Sequence, residues 1–292
     1  MDLQLQHVTA GAVDFAYLTA GPDDGPLALC LHGFPDSAHT WRLLAPDLAD
    51  AGYRFVAPFQ RGYAPTAIPA DGAYQTGALA RDAVALHEAL GGDGRAVIIG
   101  HDWGASGTYG AASLAPERWR RVVTAAVPPS AALGSAFLTF DQLQRSWYMF
   151  FFQHPLADVV TGMDDLAFLD RLWADWSPGY DATEDLALLK PSLRDPANLA
   201  AALGYYRATL GATPPNPAYE AEQAATQQST PQPTLYLHGA DDGCIGVALA
   251  DGAEAHMGEG SRVEVVEGAG HFLHLERPEI VNPLILDFLT EP

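Results

Sequence analysis

The stretch Gly100-His101-Asp102-Trp103-Gly104 decides how this chain folds and where its chemistry lies. It follows the apolar run at residues 96–99 and precedes a segment rich in alanine and glycine, which is typical of a helix start. An exposed side chain between small residues, at the joint of a strand and a helix, is typical of a nucleophile elbow. The tight turn strains the central backbone, so its neighbours must be small. We therefore expect Asp102 to be a nucleophile.

An aspartate at the centre of such an elbow predicts a different chemistry from the usual serine. A serine hydroxyl needs a base to become a nucleophile, and it attacks acyl carbons, whereas a carboxylate forms a stable ester with an alkyl carbon. Asp102 therefore favours a substrate with an electrophilic saturated carbon, such as an epoxide or an alkyl halide. Because short patterns of this kind also occur in ordinary turns, the interpretation depends on the other motifs.

Composition and charge narrow the classes of function. The 292 residues are 48% hydrophobic and 17% charged, which supports one large core, with or without an inserted subdomain. The net charge of -21 repels phosphate backbones and anionic membranes, so we expect neither as a partner. No segment resembles a signal peptide or a membrane span, and two cysteines do not make a disulfide framework, so a cytoplasmic protein is expected. A homodimer is left open.

Alternating strand-like and helix-like segments predict an α/β fold with a doubly wound, mainly parallel sheet. An initial hairpin is expected from residues 3–9 and 12–19. Apolar runs predict further strands at residues 27–31, 55–57, 96–99, 122–127, 234–237 and 263–266. Helical spacing appears at residues 37–51, 77–90 and 280–289 and after Gly104.

The alternation stops at Pro128-Pro129 and resumes after Pro231 and Pro233. The residues between them contain no convincing strand and are rich in aromatic side chains. We expect a helical lid at residues 129–230, inserted between core segments at residues 1–128 and 231–292.

A base and an orienting acid are expected in the loops after the last two strands. Gly268-Ala269-Gly270-His271 follows the final strand, where this architecture keeps its base. The imidazole needs an acid to hold its tautomer. We favour Asp242 for this role, with Asp241 as the alternative. His274 and Glu276 match no trusted metal-binding spacing, so no metal is expected.

Two backbone amides are expected to form an oxyanion hole. In enzymes with such an elbow, one amide follows an early strand and the other follows the nucleophile. The stretch His32-Gly33-Phe34-Pro35 follows the predicted strand at residues 27–31. This nominates the N–H groups of Phe34 and Trp103.

Over essentially its whole length, the chain resembles an epoxide hydrolase of the α/β-hydrolase fold. Four motifs carry the resemblance: His32-Gly33-Phe34-Pro35, Gln60-Arg61-Gly62-Tyr63, Gly100-His101-Asp102-Trp103-Gly104 and Gly268-Ala269-Gly270-His271. One departure is Gly62-Tyr63-Ala64-Pro65, where relatives often have Gly-x-Ser.

The resemblance also implies two lid tyrosines that hold the epoxide oxygen. The first matches Tyr148, in Trp147-Tyr148-Met149-Phe150-Phe151-Phe152-Gln153, and the second matches Tyr206, in Gly204-Tyr205-Tyr206-Arg207. Neighbouring helix residues point about 100° apart, so Tyr205 and Tyr206 cannot both face one pocket.

The expected function is hydrolysis of a hydrophobic epoxide to a vicinal diol, with no cofactor. Asp102 would form an alkyl ester that is hydrolysed by water activated by His271 and Asp242. The alternative is a haloalkane dehalogenase, for which Trp103 offers one halide donor; Phe34 offers no second, although a lid tryptophan could serve. A fluoroacetate dehalogenase would need arginines where Trp103 and Ser106 stand. A protein of this fold that only binds a hydrophobic ligand, without catalysis, would be expected to lack at least one of the five proposed catalytic side chains, and all five are present.

Overall fold

The computed structural model describes residues 2–291, apart from the side chain of residue 135. Eight strands form one sheet in the order β1-β2-β4-β3-β5-β6-β7-β8. In chain order, the strands are β1 Gln4–Ala10, β2 Val13–Ala20, β3 Leu27–Leu31, β4 Arg54–Pro58, β5 Ala96–His101, β6 Trp119–Ala125, β7 Thr234–Gly239 and β8 Arg262–Val266.

The sheet is parallel from β4 to β8, and the hairpin of β1 and β2 joins its edge in antiparallel register. Strand β3 explains why the central strands are apolar without alternation. Its side chains at 27, 29 and 31 pack in one hydrophobic cluster, and those at 28 and 30 pack in the other. Both faces of the sheet are thus covered, which confirms the predicted fold class.

The helices outside the segment between β6 and β7 flank the sheet. They are α1 Ala45–Asp50, α2 Thr76–Ala89, α3 Trp103–Leu114, α12 Leu273–Glu276 and α13 Pro278–Thr290. The helix predicted at residues 37–51 is instead a 3-10 helix, Ala38–Leu43, followed by α1. Pro46 explains the break, because proline cannot donate a helical hydrogen bond but fits the first turn of a new helix.

Strand β6 starts at Trp119, three residues before the predicted strand. Arg120 and Arg121 precede the apolar run at residues 122–127, so the hydrophobic pattern did not include them in the predicted strand. Arg121 pairs in register with Val97 of β5, so the strand includes both arginines.

Eight α-helices, two short 3-10 helices and no strand lie between β6 and β7 in the described part of the chain. The α-helices are α4 Ser130–Leu133, α5 Phe140–Arg145, α6 Trp147–Phe151, α7 Leu156–Gly162, α8 Ala167–Trp176, α9 Thr183–Leu193, α10 Pro196–Leu210 and α11 Glu220–Ala225. The last of them, α11, packs on α2 and α3 beside the sheet. The lid boundaries at residues 129 and 230 therefore stay a prediction. Within residues 2–291, no helix has the length and apolar character needed to cross a membrane.

Candidate active site

Asp102 lies immediately after β5 in a strained backbone conformation, with φ 53° and ψ -119°. Such a positive φ is uncommon for a residue with a side chain and is held only when the surroundings force it. Two glycines make the turn possible. A methyl group on Gly100 would overlap the carbonyl oxygen of Gly104, and one on Gly104 would overlap that of Leu31. The geometry is that of the predicted elbow.

The two carboxylate oxygens of Asp102 have different surroundings. Oδ1 accepts a hydrogen bond of 2.7 Å from the backbone N–H of Phe34. Oδ2 lies 3.6 Å from Nε2 of His271. Gly33 allows this approach, since a methyl group there would overlap the Asp102 side chain. Trp103 is the first residue of α3, so its N–H has no acceptor within the helix.

His271 and Asp242 are brought together by the loops after β8 and β7. Nδ1 of His271 lies 2.9 Å from Oδ2 of Asp242. The other oxygen of Asp242 accepts hydrogen bonds from the backbone N–H groups of Cys244, at 2.7 Å, and Ile245, at 2.9 Å. Asp241 is exposed, whereas Asp242 is buried. The structure therefore brings Asp242, and not Asp241, to the imidazole.

The two carboxylates control the charge of the imidazole. Burial lowers the pKa of His271, but the negative charges of Asp242 and Asp102, together with the hydrogen bond to Asp242, outweigh it and raise the pKa to about 10. Burial raises the pKa of Asp242, but the charge of His271 and its hydrogen bond hold it below the usual value. With Asp102 unmodified, the site therefore holds an imidazolium between two carboxylates.

Tyr148 on α6 and Tyr206 on α10 face each other, with their ring centroids 5.6 Å apart and their planes nearly perpendicular. The hydroxyl of Tyr206 is buried and has no hydrogen-bond partner within the described residues. The hydroxyl of Tyr148 lies 3.2 Å from Sγ of Cys244. Tyr205 points elsewhere, because its hydroxyl donates to the carbonyl oxygen of Arg61 at 2.8 Å.

The site opens onto a cavity of about 550 Å³. Asp102, Tyr148 and Tyr206 all line it. The remaining wall is mixed, with apolar side chains contributed mainly by Trp103, Val127, Leu133, Phe137, Met149 and Ile245. A concave, largely apolar pocket with a few convergent polar groups is the usual form of a site for a small molecule.

Comparison with known proteins agrees with this geometry. A family model described as the alpha/beta hydrolase fold matches residues 26–278. Epoxide hydrolase A of Mycobacterium tuberculosis is 30% identical over 97% of this chain and 96% of its own length. The AB hydrolase superfamily protein YfhM of Bacillus subtilis is 30% identical over 98% of both chains. The crystal structure of epoxide hydrolase A from Mycobacterium thermoresistibile superposes with a TM-score of 0.81, at 27% identity over 99% and 98% of the chains.

The chain belongs to the epoxide hydrolase family of the α/β-hydrolase fold. It is therefore a hydrolase, and the family resemblance inferred from the four sequence motifs is confirmed.

In this hydrolase, one backbone carbonyl of α8 holds both the loop that carries Asp242 and the loop that carries His271, a role that the sequence does not reveal. The backbone oxygen of Trp176, at the end of α8, accepts hydrogen bonds of 3.0 Å from the N–H groups of Gly243 and His271. Its indole ring also packs on the imidazole of His271, with centroids 5.1 Å apart. The sequence marks Trp176 only as one of many lid aromatics.

Behind His271, the hydrolase buries a polar cluster of Asp36, His101 and His274 that sequence analysis also missed. Their potential ligand atoms lie within 4.8 Å of one another. Burial raises the pKa of Asp36 to about 8 and lowers that of His101 to about 3, so uncharged forms are favoured. Nε2 of His101 lies 2.9 Å from the carbonyl oxygen of His271, to which it donates.

Glu276 forms hydrogen bonds around the glycine-rich loop that precedes His271, and it is not part of the cluster of Asp36, His101 and His274. Its carboxylate accepts hydrogen bonds from the hydroxyl of Ser177, at 2.6 Å, and from the N–H of Gly270, at 2.8 Å. These bonds tie the glycine-rich loop before His271 to the end of the lid helix α8.

Proposed function

We propose that this hydrolase converts a small hydrophobic epoxide to a vicinal diol through a covalent ester on Asp102. The observation that carries the proposal is the convergence of three groups on one cavity. These are the Oδ2 side of the Asp102 carboxylate, which lies 3.6 Å from Nε2 of His271, the hydroxyl of Tyr206, which has no hydrogen-bond partner among the described residues, and the hydroxyl of Tyr148. A nucleophile for carbon and two donors for oxygen are what the opening of an epoxide requires.

In the first step, Oδ2 of Asp102 attacks a ring carbon and the bond from that carbon to the ring oxygen breaks. The oxygen leaves as an alkoxide held by the hydroxyl groups of Tyr148 and Tyr206. Burial raises the pKa of both phenols well above the ordinary value, so each keeps its proton as a hydrogen-bond donor in the resting site.

The second step begins because alkylation changes the charge next to His271. The ester of Asp102 is neutral, so one of the charges that raise the pKa of His271 is lost. The imidazolium then releases a proton, and the alkoxide gains one, which leaves a diol ester and a neutral base.

Water then attacks the ester carbonyl carbon while His271, oriented by Asp242, takes a proton from it. The Oδ1 side of the ester develops negative charge next to the N–H of Phe34, which already donates to this oxygen, and the N–H of Trp103 is proposed as the second donor. Collapse breaks the ester bond, and the departing oxygen takes the proton from His271, which releases the diol. The new carboxyl group of Asp102 then gives its proton to His271, which restores the carboxylate and the imidazolium.

A haloalkane dehalogenase is the second candidate, and one observation favours it. Nε1 of Trp103 is buried without a hydrogen-bond partner in the described part of the chain, and Trp103 lines the cavity. A departing halide needs at least one further side-chain donor. In the loop after β3, the position that could supply it holds the apolar Phe34. The pair of tyrosine hydroxyls matches an epoxide oxygen better, so we place this function second.

The test is a panel of aryl and alkyl epoxides with haloalkanes of matched size. Diol and free halide are measured for the parent protein and for Asp102→Ala. We expect diol from epoxides, no halide, and no diol from the variant. Halide release without diol, or diol formation that survives Asp102→Ala, would overturn the proposal.

A further inference from the structure

Cys244 connects the acid of the catalytic pair with a lid tyrosine. Its backbone N–H donates to Oδ1 of Asp242 at 2.7 Å, and its Sγ lies 3.2 Å from the hydroxyl of Tyr148. The thiol is fully buried. One residue therefore contacts both halves of the proposed machinery, the part that hydrolyses the ester and the part that holds the epoxide oxygen.

The position of this thiol is fixed by the lid. Nε2 of Gln142, on α5, donates to the carbonyl oxygen of Cys244 at 2.9 Å. Its Oε1 accepts the N–H of Gly246, also at 2.9 Å. The side chain of Gln142 thus holds the backbone on both sides of Ile245, so Sγ is directed at Tyr148 by a short, bonded loop.

The hydroxyl groups of the two lid tyrosines differ in their hydrogen-bond partners. Among the described residues, the hydroxyl of Tyr206 has no hydrogen-bond partner, whereas that of Tyr148 has the thiol. A phenol hydroxyl carries one proton and two lone pairs, and a thiol is a weak donor and a weak acceptor. If the single proton of Tyr148 is given to the substrate, the only proton left for the contact between oxygen and sulfur is that of Cys244.

We propose that Cys244 is a positioning residue whose S–H donates to the oxygen of Tyr148 and directs the O–H of Tyr148 at the epoxide oxygen. This inference rests on the proposed function. Burial raises the pKa of the Cys244 thiol well above its usual value, which keeps the proton that the arrangement needs. Sulfur competes only weakly for the proton of Tyr148, so the phenol remains available to the substrate.

The experiment is a double-mutant cycle on the alkylation step. Enzyme in excess is mixed with an epoxide and quenched, and the ester on the Asp102 peptide is followed by mass spectrometry. Cys244→Ala should slow alkylation about two- to threefold, at the low end of the cost of one hydrogen bond, because a thiol is a weak donor. In the Tyr148→Phe background the same change should have no further effect, whereas in the Tyr206→Phe background it should keep its full effect.

Cys244→Ser is the conservative control, because its hydroxyl again offers a donor to Tyr148 and should restore most of the rate. Unfolding temperatures of all variants separate lost folding from lost positioning. Equal slowing by Cys244→Ala with and without Tyr148, or no slowing at all, would overturn the inference. Failure of the proposed function looks different, because the parent protein itself would then form no ester on Asp102.

Discussion

Nε2 of His271 lies 3.6 Å from Oδ2 of Asp102, while Nδ1 of the same ring lies 2.9 Å from Asp242. Two carboxylates therefore share one imidazole, and they raise its pKa to about 10 despite burial. A protonated imidazole cannot accept a proton from water. In the proposed mechanism, His271 therefore becomes available as a base only after Asp102 has lost its charge in the ester, which orders the two steps.

This relationship predicts how stability depends on pH. The folded protein keeps a proton on His271 up to about pH 10, whereas an ordinary imidazole loses it near 6.5. The stabilisation is therefore fully present below pH 6.5 and is lost as pH rises to about 10. Unfolding temperatures measured from pH 6 to pH 10 should fall more steeply for the parent than for His271→Gln. Parallel curves would contradict the raised pKa.

Removing the base should trap the intermediate. In His271→Gln, Asp102 can still open the epoxide, but no imidazole activates water, so the ester should accumulate. After incubation with a confirmed substrate, the protein should gain the mass of one substrate molecule on the peptide that contains Asp102. An unmodified peptide after long incubation would count against the ester mechanism.

The lid tyrosines should matter in the alkylation step. Tyr148→Phe and Tyr206→Phe should each slow it, and the double variant should nearly abolish it, because each removes a donor to the developing alkoxide. Loss of such a donor typically costs about 2.7–4 kcal/mol in the barrier. Stopped-flow or quenched-flow alkylation rates measure the effect, and Tyr205→Phe is the matched control, since its hydroxyl binds Arg61 outside the cavity. Unchanged epoxide turnover together with halide release would favour the dehalogenase.

The sheet and the sharp turn at Asp102 were predictable because local sequence determines them. Glycine is needed at 100, where a side chain would overlap the carbonyl oxygen of Gly104, and at 104, where it would overlap that of Leu31 on the neighbouring strand. An apolar run marks β5. The contacts that complete the site could not be predicted from the sequence. Cys244 meets Tyr148 across 96 residues of chain, and Trp176 reaches His271 through a backbone oxygen. Such long-range contacts depend on how the lid packs, and a carbonyl group has no sequence signature.

The source of the product oxygen tests the role of Asp102 directly. If Oδ2 attacks the ring, the first diol carries an oxygen from the carboxylate, and water refills the carboxylate only when it attacks the ester carbonyl. A single turnover in heavy-oxygen water, with enzyme in excess, should give mostly unlabelled diol and a labelled Asp102 peptide, both detected by mass spectrometry. Repeated turnovers should give labelled diol. If diol from the first turnover is fully labelled, water has attacked the epoxide itself, and Asp102 would act as a general base instead of a nucleophile.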